Sequence, residues 1–125
     1  DAQKNICVLE RGGHALRVVN PDGIIKTVVG TGMAGNAIGD ALKTQLRSPK
    51  HIGIDDQANV LIAAEANQRS LRYQPAQGTV TAILGKGVKK PNRGLSKPHG
   101  VYFHSDGSIY VVDTGHHRIL RVIGR

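Results

Sequence analysis

The string Asp113-Thr114-Gly115 is the pattern with the sharpest chemical meaning in this 125-residue sequence. An apolar run ending in Val111-Val112 precedes it, as expected where two facing carboxylates share one proton and activate water. A chain of this length is long enough to supply one such aspartate to a symmetric dimer. An aspartic protease is therefore the first catalytic class that this pattern indicates.

A second pattern, Gly-x-Gly-x-x-Gly, covers residues 30–35 and follows a predicted strand. In a dinucleotide-binding unit these glycines let the chain approach a pyrophosphate at a helix N-terminus. The surrounding sequence does not alternate strand and helix, and residues 85–87 repeat the Gly-x-Gly turn after another predicted strand. We therefore interpret the pattern as a turn of a repeated unit and not as a nucleotide site.

Short apolar or alternating runs, separated by turn residues, predict an all-β chain. Asp40 is expected to cap one or two helical turns within residues 40–46. The predicted strands form three groups: 6–9, 15–19 and 24–29; 52–54, 60–63, 70–73 and 79–84; and 101–103, 109–112 and 119–123.

The three groups are copies of one unit. A shift of 49 positions places Pro49 on Pro98 and Arg69 on Arg118, and a shift of about 55 relates the first group to the second, with one residue fewer in its turn. A unit of this size cannot bury its own sheet. Repetition therefore predicts stacked blades.

The last copy resembles an NHL repeat in three stretches: 98–101 (Pro-His-Gly-Val), 105–113 (Ser-Asp-Gly-Ser-Ile-Tyr-Val-Val-Asp) and 116–119 (His-His-Arg-Ile). The resemblance implies a partial β-propeller of NHL-type four-stranded blades, about 2.5 blades per chain. Residues 1–125 then form a single segment with units 5–29, 49–85 and 98–124. Propellers host many functions, so the resemblance implies no particular activity.

Within this repeat, Glu10 and Ala64 occupy the position of Asp113 in the other two units. Asp113 is therefore predicted to accept hydrogen bonds from its turn and from Arg118, a structural role that replaces the protease interpretation. Where Ala64 replaces the acid, we expect a looser turn. The residues predicted to be structural are Glu10, Arg69, Asp113 and Arg118.

His51 and His99 open the innermost strands of two blades, and inner strands line the central channel of a propeller. The peptidyl-amidating lyases, which resemble NHL propellers, carry metal-binding histidines at a similar Pro-His start. This resemblance implies a candidate divalent-metal site at His51 and His99, and with it a metal-dependent lyase or hydrolase as one alternative function. Pro98-His99 matches that start, whereas His51 is one residue further along, on the other face of its strand. No other cofactor is predicted, and the sequence leans away from an enzyme.

Positive charge is the remaining functional feature, with a formal net charge of +8 and no acidic residue in 66–105. Such a field attracts polyanions, and the NHL domains of RNA-binding regulators are similarly basic, so nucleic acid is a second alternative partner. The four aromatic residues offer few stacking platforms for bases. The residues predicted to contact a ligand are Lys50, Lys86, Lys89, Lys90, Arg93 and Lys97.

The first and last groups have three strands each, so two blades are incomplete. Open sheet edges and packing faces favour association, and we predict a binding or assembly scaffold that either belongs to a larger propeller or forms a homo-oligomer. The sequence contains no apolar run of membrane-spanning length and no recognisable signal peptide, so no membrane partner is expected. The single cysteine, Cys7, excludes an internal disulfide and leaves the cellular compartment open.

Overall fold

The computed structural model describes residues 1–85 and 94–123, and strands dominate it. Among these residues, no helix has the length and apolar character needed to cross a membrane. Single turns of 3-10 helix occur at Ala41–Lys43, Glu65–Asn67 and Thr114–His116. The strands are β1 Ile6–Glu10, β2 Ala15–Val19, β3 Ile25–Val29, β4 Gly39–Asp40, β5 His51–Ile54, β6 Val60–Ala64, β7 Arg69–Gln74, β8 Thr79–Gly85, β9 Pro98–Phe103, β10 Ile109–Asp113 and β11 Arg118–Val122. The predicted all-β fold is confirmed.

The strands form three antiparallel sheets with the orders β1-β2-β3, β4-β8-β7-β6-β5 and β9-β10-β11. All ten predicted strands are present. The two-residue strand β4 was not predicted, and it adds a fifth member to the middle sheet by pairing Gly39 with Val80 and Asp40 with Thr79. As predicted, the Asp40 side chain caps the turn that follows by accepting from the Leu42 N–H at 3.1 Å.

The middle sheet lies between the other two and buries both of its faces. Every residue of β6 is buried. Ile62 faces a core shared with the first sheet, and Leu61 faces a core shared with the third. A strand buried on both faces needs no polar alternation, which accounts for the continuous apolar run of residues 60–64.

The outer sheets bury only one face each. On the first sheet, the outward side chains of Ile6 and Ile25 are 63% and 53% exposed. On the third, Tyr102 and Ile119 are 60% and 66% exposed. The stack therefore exposes large apolar side chains on each side.

The inner strands of the middle and third sheets lie side by side. A Cβ added at Gly53 of β5 would be 3.0 Å from the Val101 carbonyl oxygen of β9. The Val101 N–H also donates to His51 Nδ1 at 3.3 Å. This contact places the start of both inner strands at one rim of the stack, which we call the inner rim.

The turns that join β1 to β2, β6 to β7 and β10 to β11 all have the same length. Four residues separate Glu10 from Ala15, Ala64 from Arg69, and Asp113 from Arg118, which are paired in the ladders. The last of the four is left-handed in every case: His14, Gln68 and His117 have φ of 52°, 55° and 54°. The expectation of a shorter first turn was wrong.

A second repeated turn precedes the strands β1 and β6. Asp1 Oδ1 accepts from the backbone of Gln3 and Asn5, and the Asn5 side chain donates to Asp1 Oδ2. Asp55, Gln57 and Asn59 make the same three bonds. The repeated structure thus includes residues 1–4, ahead of the predicted start at residue 5.

Candidate binding site at the inner rim

Asp113 is completely buried at the end of β10, and both of its carboxylate oxygens have hydrogen-bond partners. Its Oδ1 accepts from the Ser96 N–H at 2.8 Å, and its Oδ2 contacts Arg118 Nε at 2.8 Å and His116 Nδ1 at 2.7 Å. Burial alone would raise the pKa of Asp113, but the hydrogen bonds from Ser96, His116 and Arg118 outweigh burial and hold the pKa below its ordinary value. A carboxylate held in this way has no free oxygen for water, so the geometry opposes a protease site.

The contact of Asp113 with Arg118 is the one expected from the sequence, but the backbone donor differs. Ser96 lies ahead of β9, whereas the sequence predicted a donor within the turn itself. Asp113 therefore ties the segment before the inner strand to the second strand of the same blade.

In the other two blades, different residues make the contacts at the position equivalent to Asp113. Glu10 contacts Arg17 at 3.1 Å and is partly exposed, so it does not reproduce the buried bonds of Asp113. In the middle blade, Asn67 Oδ1 accepts from the Arg47 N–H at 2.8 Å. Arg69 donates to the Asn36 carbonyl at 3.0 Å. In the blade where Ala64 replaces the acid, Asn67 thus bonds the segment before β5, and the looser turn expected there stays a prediction.

Backbone geometry requires the first glycine of each Gly-x-Gly pattern. Gly30 and Gly85 have φ of 110° and 100°; Gly30 directly follows β3, and Gly85 is the last residue of β8. A Cβ at Gly30 would lie 2.6 Å from the His14 carbonyl oxygen, and one at Gly85 would collide with that of Gln68. No helix begins at residues 31–35, so the pattern at 30–35 lacks the helix N-terminus on which a dinucleotide-binding unit places the pyrophosphate.

His51 and His99 do not occupy equivalent positions of their blades. Ile54 pairs with Val60 in the middle sheet as Phe103 pairs with Ile109 in the third, so Ile54 and Phe103 are equivalent. Four residues earlier in each strand, Lys50 is therefore the equivalent of His99. The one-residue displacement of His51 is therefore present. Among residues 1–85 and 94–123, no group of three or more His, Cys, Asp and Glu side chains could hold a metal ion.

Four side chains from all three sheets converge at the inner rim, and we call them the rim cluster. His99 Nε2 lies 3.5 Å from Glu65 Oε1. Lys50 Nζ and an Arg11 guanidinium nitrogen each lie 3.6 Å from Glu65 Oε2. The rim cluster consists of Arg11, Lys50, Glu65 and His99.

Local structure sets each of these positions. Arg11 follows β1 in the repeated four-residue turn, and Glu65 follows β6 at the equivalent point. The Lys50 N–H donates to the Ala63 carbonyl at 2.9 Å, which extends the pairing of β5 with β6 by one residue. His99 is the second residue of β9.

Sequence reasoning identified Lys50 and His99 but not Arg11 or Glu65. One feature could have revealed Glu65, since it is the sole acidic residue from 57 to 105. An isolated acid within a basic stretch draws nearby cations towards it. Of the other predicted ligand residues, Lys97 is exposed just before β9. Lys86, Lys89, Lys90 and Arg93 lie outside the described residues.

Comparison with known proteins agrees with this architecture. The model of the NHL repeat family matches residues 95–121. No curated protein matches the sequence. A solved protein of unknown function from Bacteroides thetaiotaomicron superimposes with a TM-score of 0.83 at 13% identity, over 96% of this chain and 32% of that one.

Two further solved structures have assigned names. An auxiliary nutrient binding protein from Bacteroides thetaiotaomicron gives a TM-score of 0.78 at 14% identity, over 94% of this chain and 34% of that one. Virginiamycin B lyase from Staphylococcus aureus gives 0.60 at 16% identity, over 94% and 37%. This chain thus spans about a third of the length of these proteins.

These likenesses define the class of fold as β-propeller-like, with blades of antiparallel strands. Within that class, residues 95–121 are an NHL repeat. At such low identity the similarity extends to the fold and leaves the activity undetermined.

Proposed function

We propose that this chain is a segment of an NHL-type propeller that acts as a binding scaffold. Its two outer sheet faces are covered by further blades, either in a larger propeller or from a second copy. The exposed face of the first sheet and that of the third carry this proposal. Each presents large apolar side chains in the pattern that the buried sheet interfaces of the chain already use.

The free energy gained by covering the exposed apolar side chains of these faces supports the same proposal. Fully burying an exposed isoleucine side chain stabilises a protein by roughly 1.5–3 kcal/mol. Ile6, Ile25, Tyr102 and Ile119 are all more than half exposed. Contiguous apolar surface of this kind marks an interaction site more often than ordinary surface.

The similar structures support a scaffold without deciding its activity. One is named as a nutrient binding protein and another as a lyase, so the same blades serve binding and catalysis. The span of about a third of their length is compatible with a chain that needs further blades.

Sedimentation equilibrium of the 125-residue chain at tens of micromolar tests the proposal. We expect a mass above 13.3 kDa that increases with concentration. Binding of a dye such as ANS should decrease as the faces become covered. A single species of 13.3 kDa that binds no ANS would contradict the proposal.

Polyanion binding is a second candidate, supported by the net charge of +8 and the acid-free stretch 66–105. A contact of this type releases counterions, so the affinity for RNA should fall steeply with added salt. Filter binding of a random single-stranded RNA between 50 and 200 mM salt measures this slope, in the range where a multi-contact complex loses affinity by orders of magnitude. An affinity that does not depend on salt excludes this candidate.

A further inference from the structure

We infer that the rim cluster is a binding site for a small ligand carrying a compact oxyanion group, a carboxylate or a phosphate, held by Arg11 and Lys50. This inference does not depend on completion of the propeller, because all four residues of the cluster belong to this chain. It concerns a small-molecule site, separate from the polyanion contact considered for the basic stretch.

The first argument is that the cations of the cluster keep unused hydrogen-bond donors. Arg11 and Lys50 approach Glu65 Oε2 only to 3.6 Å, which is beyond hydrogen-bond distance. Within the described residues, Glu65 Oε2 is buried and has no hydrogen-bond partner. The Arg11 side chain is 60% exposed, so its guanidinium remains accessible from solvent.

The second argument is charge. Two permanent cations, Arg11 and Lys50, face one carboxylate, which leaves one positive charge uncompensated. His99, beside the other oxygen of Glu65, adds a further donor. An oxyanion on the solvent side of Arg11 and Lys50 would balance this surplus and accept the hydrogen bonds that Glu65 leaves unmade.

The third argument is geometry. Arg11, Lys50 and His99 reach the same carboxylate from three different sheets, so the positions of the donors are set by the stacking of the blades and not by one flexible loop. A guanidinium offers two parallel N–H groups to a planar carboxylate or to a phosphate, and an ammonium adds a point charge. Glu65 Oε2, which is buried and has no hydrogen-bond partner among the described residues, competes with a ligand anion for the same two cations.

A groove leads to this position. It is lined by Cys7, Val8, Leu9 and Arg11 on the β1 side and by residues 49–52 on the β5 side, with a volume of about 490 Å³. Cys7, Val8, Leu9, Pro49 and Ile52 form the apolar part of the lining, and Arg11, Lys50 and His51 contribute polar surface of similar extent. A ligand with a small apolar body and one anionic group fits this distribution better than a free polyanion does.

NMR titration of the full chain with acetate, and separately with inorganic phosphate, at constant ionic strength tests the inference. We expect saturable shifts in the side-chain Nε–H signal of Arg11 and in the imidazole of His99. Arg11→Gln and Lys50→Gln should each weaken binding about tenfold or more, the loss expected for one charge-assisted hydrogen bond. Saturation by acetate alone identifies the carboxylate as the ligand group, and saturation by phosphate alone identifies the phosphate.

Arg121→Gln is the matched control, because it removes the same charge from a residue that pairs with Asp106 and Ser108 away from the rim. It should leave both affinities unchanged. Glu65→Gln keeps the shape of the side chain and removes its negative charge, so anion binding should be equal or tighter. The inference is overturned if the shifts do not saturate, if Arg121→Gln weakens binding as much as Arg11→Gln, or if Glu65→Gln abolishes binding.

Discussion

Asp113 buries a full negative charge, and three donors from two parts of the chain compensate for it. Asp113→Asn removes the charge, so the bonds with Arg118 and His116 weaken and the Ser96 N–H faces a poorer acceptor. We expect the free energy of unfolding to fall by about 2 kcal/mol. Urea denaturation followed by circular dichroism measures this loss.

Asp106→Asn is the control for that experiment, because Asp106 also pairs with an arginine but lies in an exposed turn. Solvent screens the charges of an exposed turn, so we expect Asp106→Asn to lose less stability than Asp113→Asn. An equal loss of unfolding free energy for both variants would show that burial does not strengthen the contribution of Asp113 to stability.

Acid stability depends on the same two carboxylates. The pKa of Asp113 lies below its ordinary value, and the backbone N–H of Ser108 is the main cause that lowers the pKa of Asp106 to about 2. A carboxylate with a depressed folded-state pKa stabilises the fold above its unfolded pKa of about 4 and loses that contribution as the pH falls.

We therefore expect the free energy of unfolding to decrease between about pH 4 and pH 2. The double variant Asp113→Asn with Asp106→Asn should show a flatter dependence over the same interval. Urea titrations at fixed pH values measure both slopes. Equal slopes in the wild type and the double variant would remove these residues from the acid response.

For single residues, the sequence predicted hydrogen-bonding partners that are close along the chain. The pairing of Asp113 with Arg118 spans one hairpin turn, and repeat alignment found it. Ser96 is 17 positions away from Asp113, and its contact depends on how the segment before β9 lies on the blade. The rim cluster needs three sheets to be stacked before its residues meet, so its composition could not be obtained from local patterns.

Among the elements, Gly30 after β3 and Gly85 at the end of β8 occupy the most constrained backbone positions. Gly85 combines φ of 100° with a position where a Cβ would collide with the Gln68 carbonyl. Gly85→Ala should therefore lower the free energy of unfolding by about 3 kcal/mol, the sum of left-handed strain and a forced backbone shift. Thermal and urea unfolding measure the loss.

Gly94→Ala provides the comparison, since a Cβ there would have open space and no positive φ is involved. Its effect should stay within about 0.5 kcal/mol. If Gly85→Ala were as mild as Gly94→Ala, the close approach of this turn to β7 would not be a requirement of the blade.

The elements that sequence reasoning missed or shortened have physical reasons. Gly39 and Asp40 form β4, although both residue types are depleted in strands, because the edge of β8 offers them partners. Strand β9 begins at Pro98, three residues earlier than predicted, since proline and glycine lower strand propensity. Long apolar runs such as that of β6 were predicted almost to the residue, because burial on both faces leaves a strong pattern.

In the whole molecule, each sheet packs face to face on its neighbour, and the same unit provides both kinds of face. The middle sheet satisfies both of its faces within the chain, whereas the first and third sheets satisfy one each. We propose that the outward faces of the first and third sheets are the two complementary halves of the same type of interface. Head-to-tail contact between copies would reproduce the buried interfaces of the chain.

Charge placed on these faces tests that arrangement. Ile25 and Ile119 are 53% and 66% exposed, so Ile25→Glu and Ile119→Glu should leave the fold intact. Each should weaken self-association at least about tenfold, because a carboxylate in an apolar interface loses its hydration without a partner. Sedimentation velocity over a concentration series measures the association, and Gln77→Glu, in an exposed turn of the middle sheet, is the matched control. If Gln77→Glu dissociated the oligomer as well as Ile119→Glu does, net charge and not the sheet faces would govern assembly.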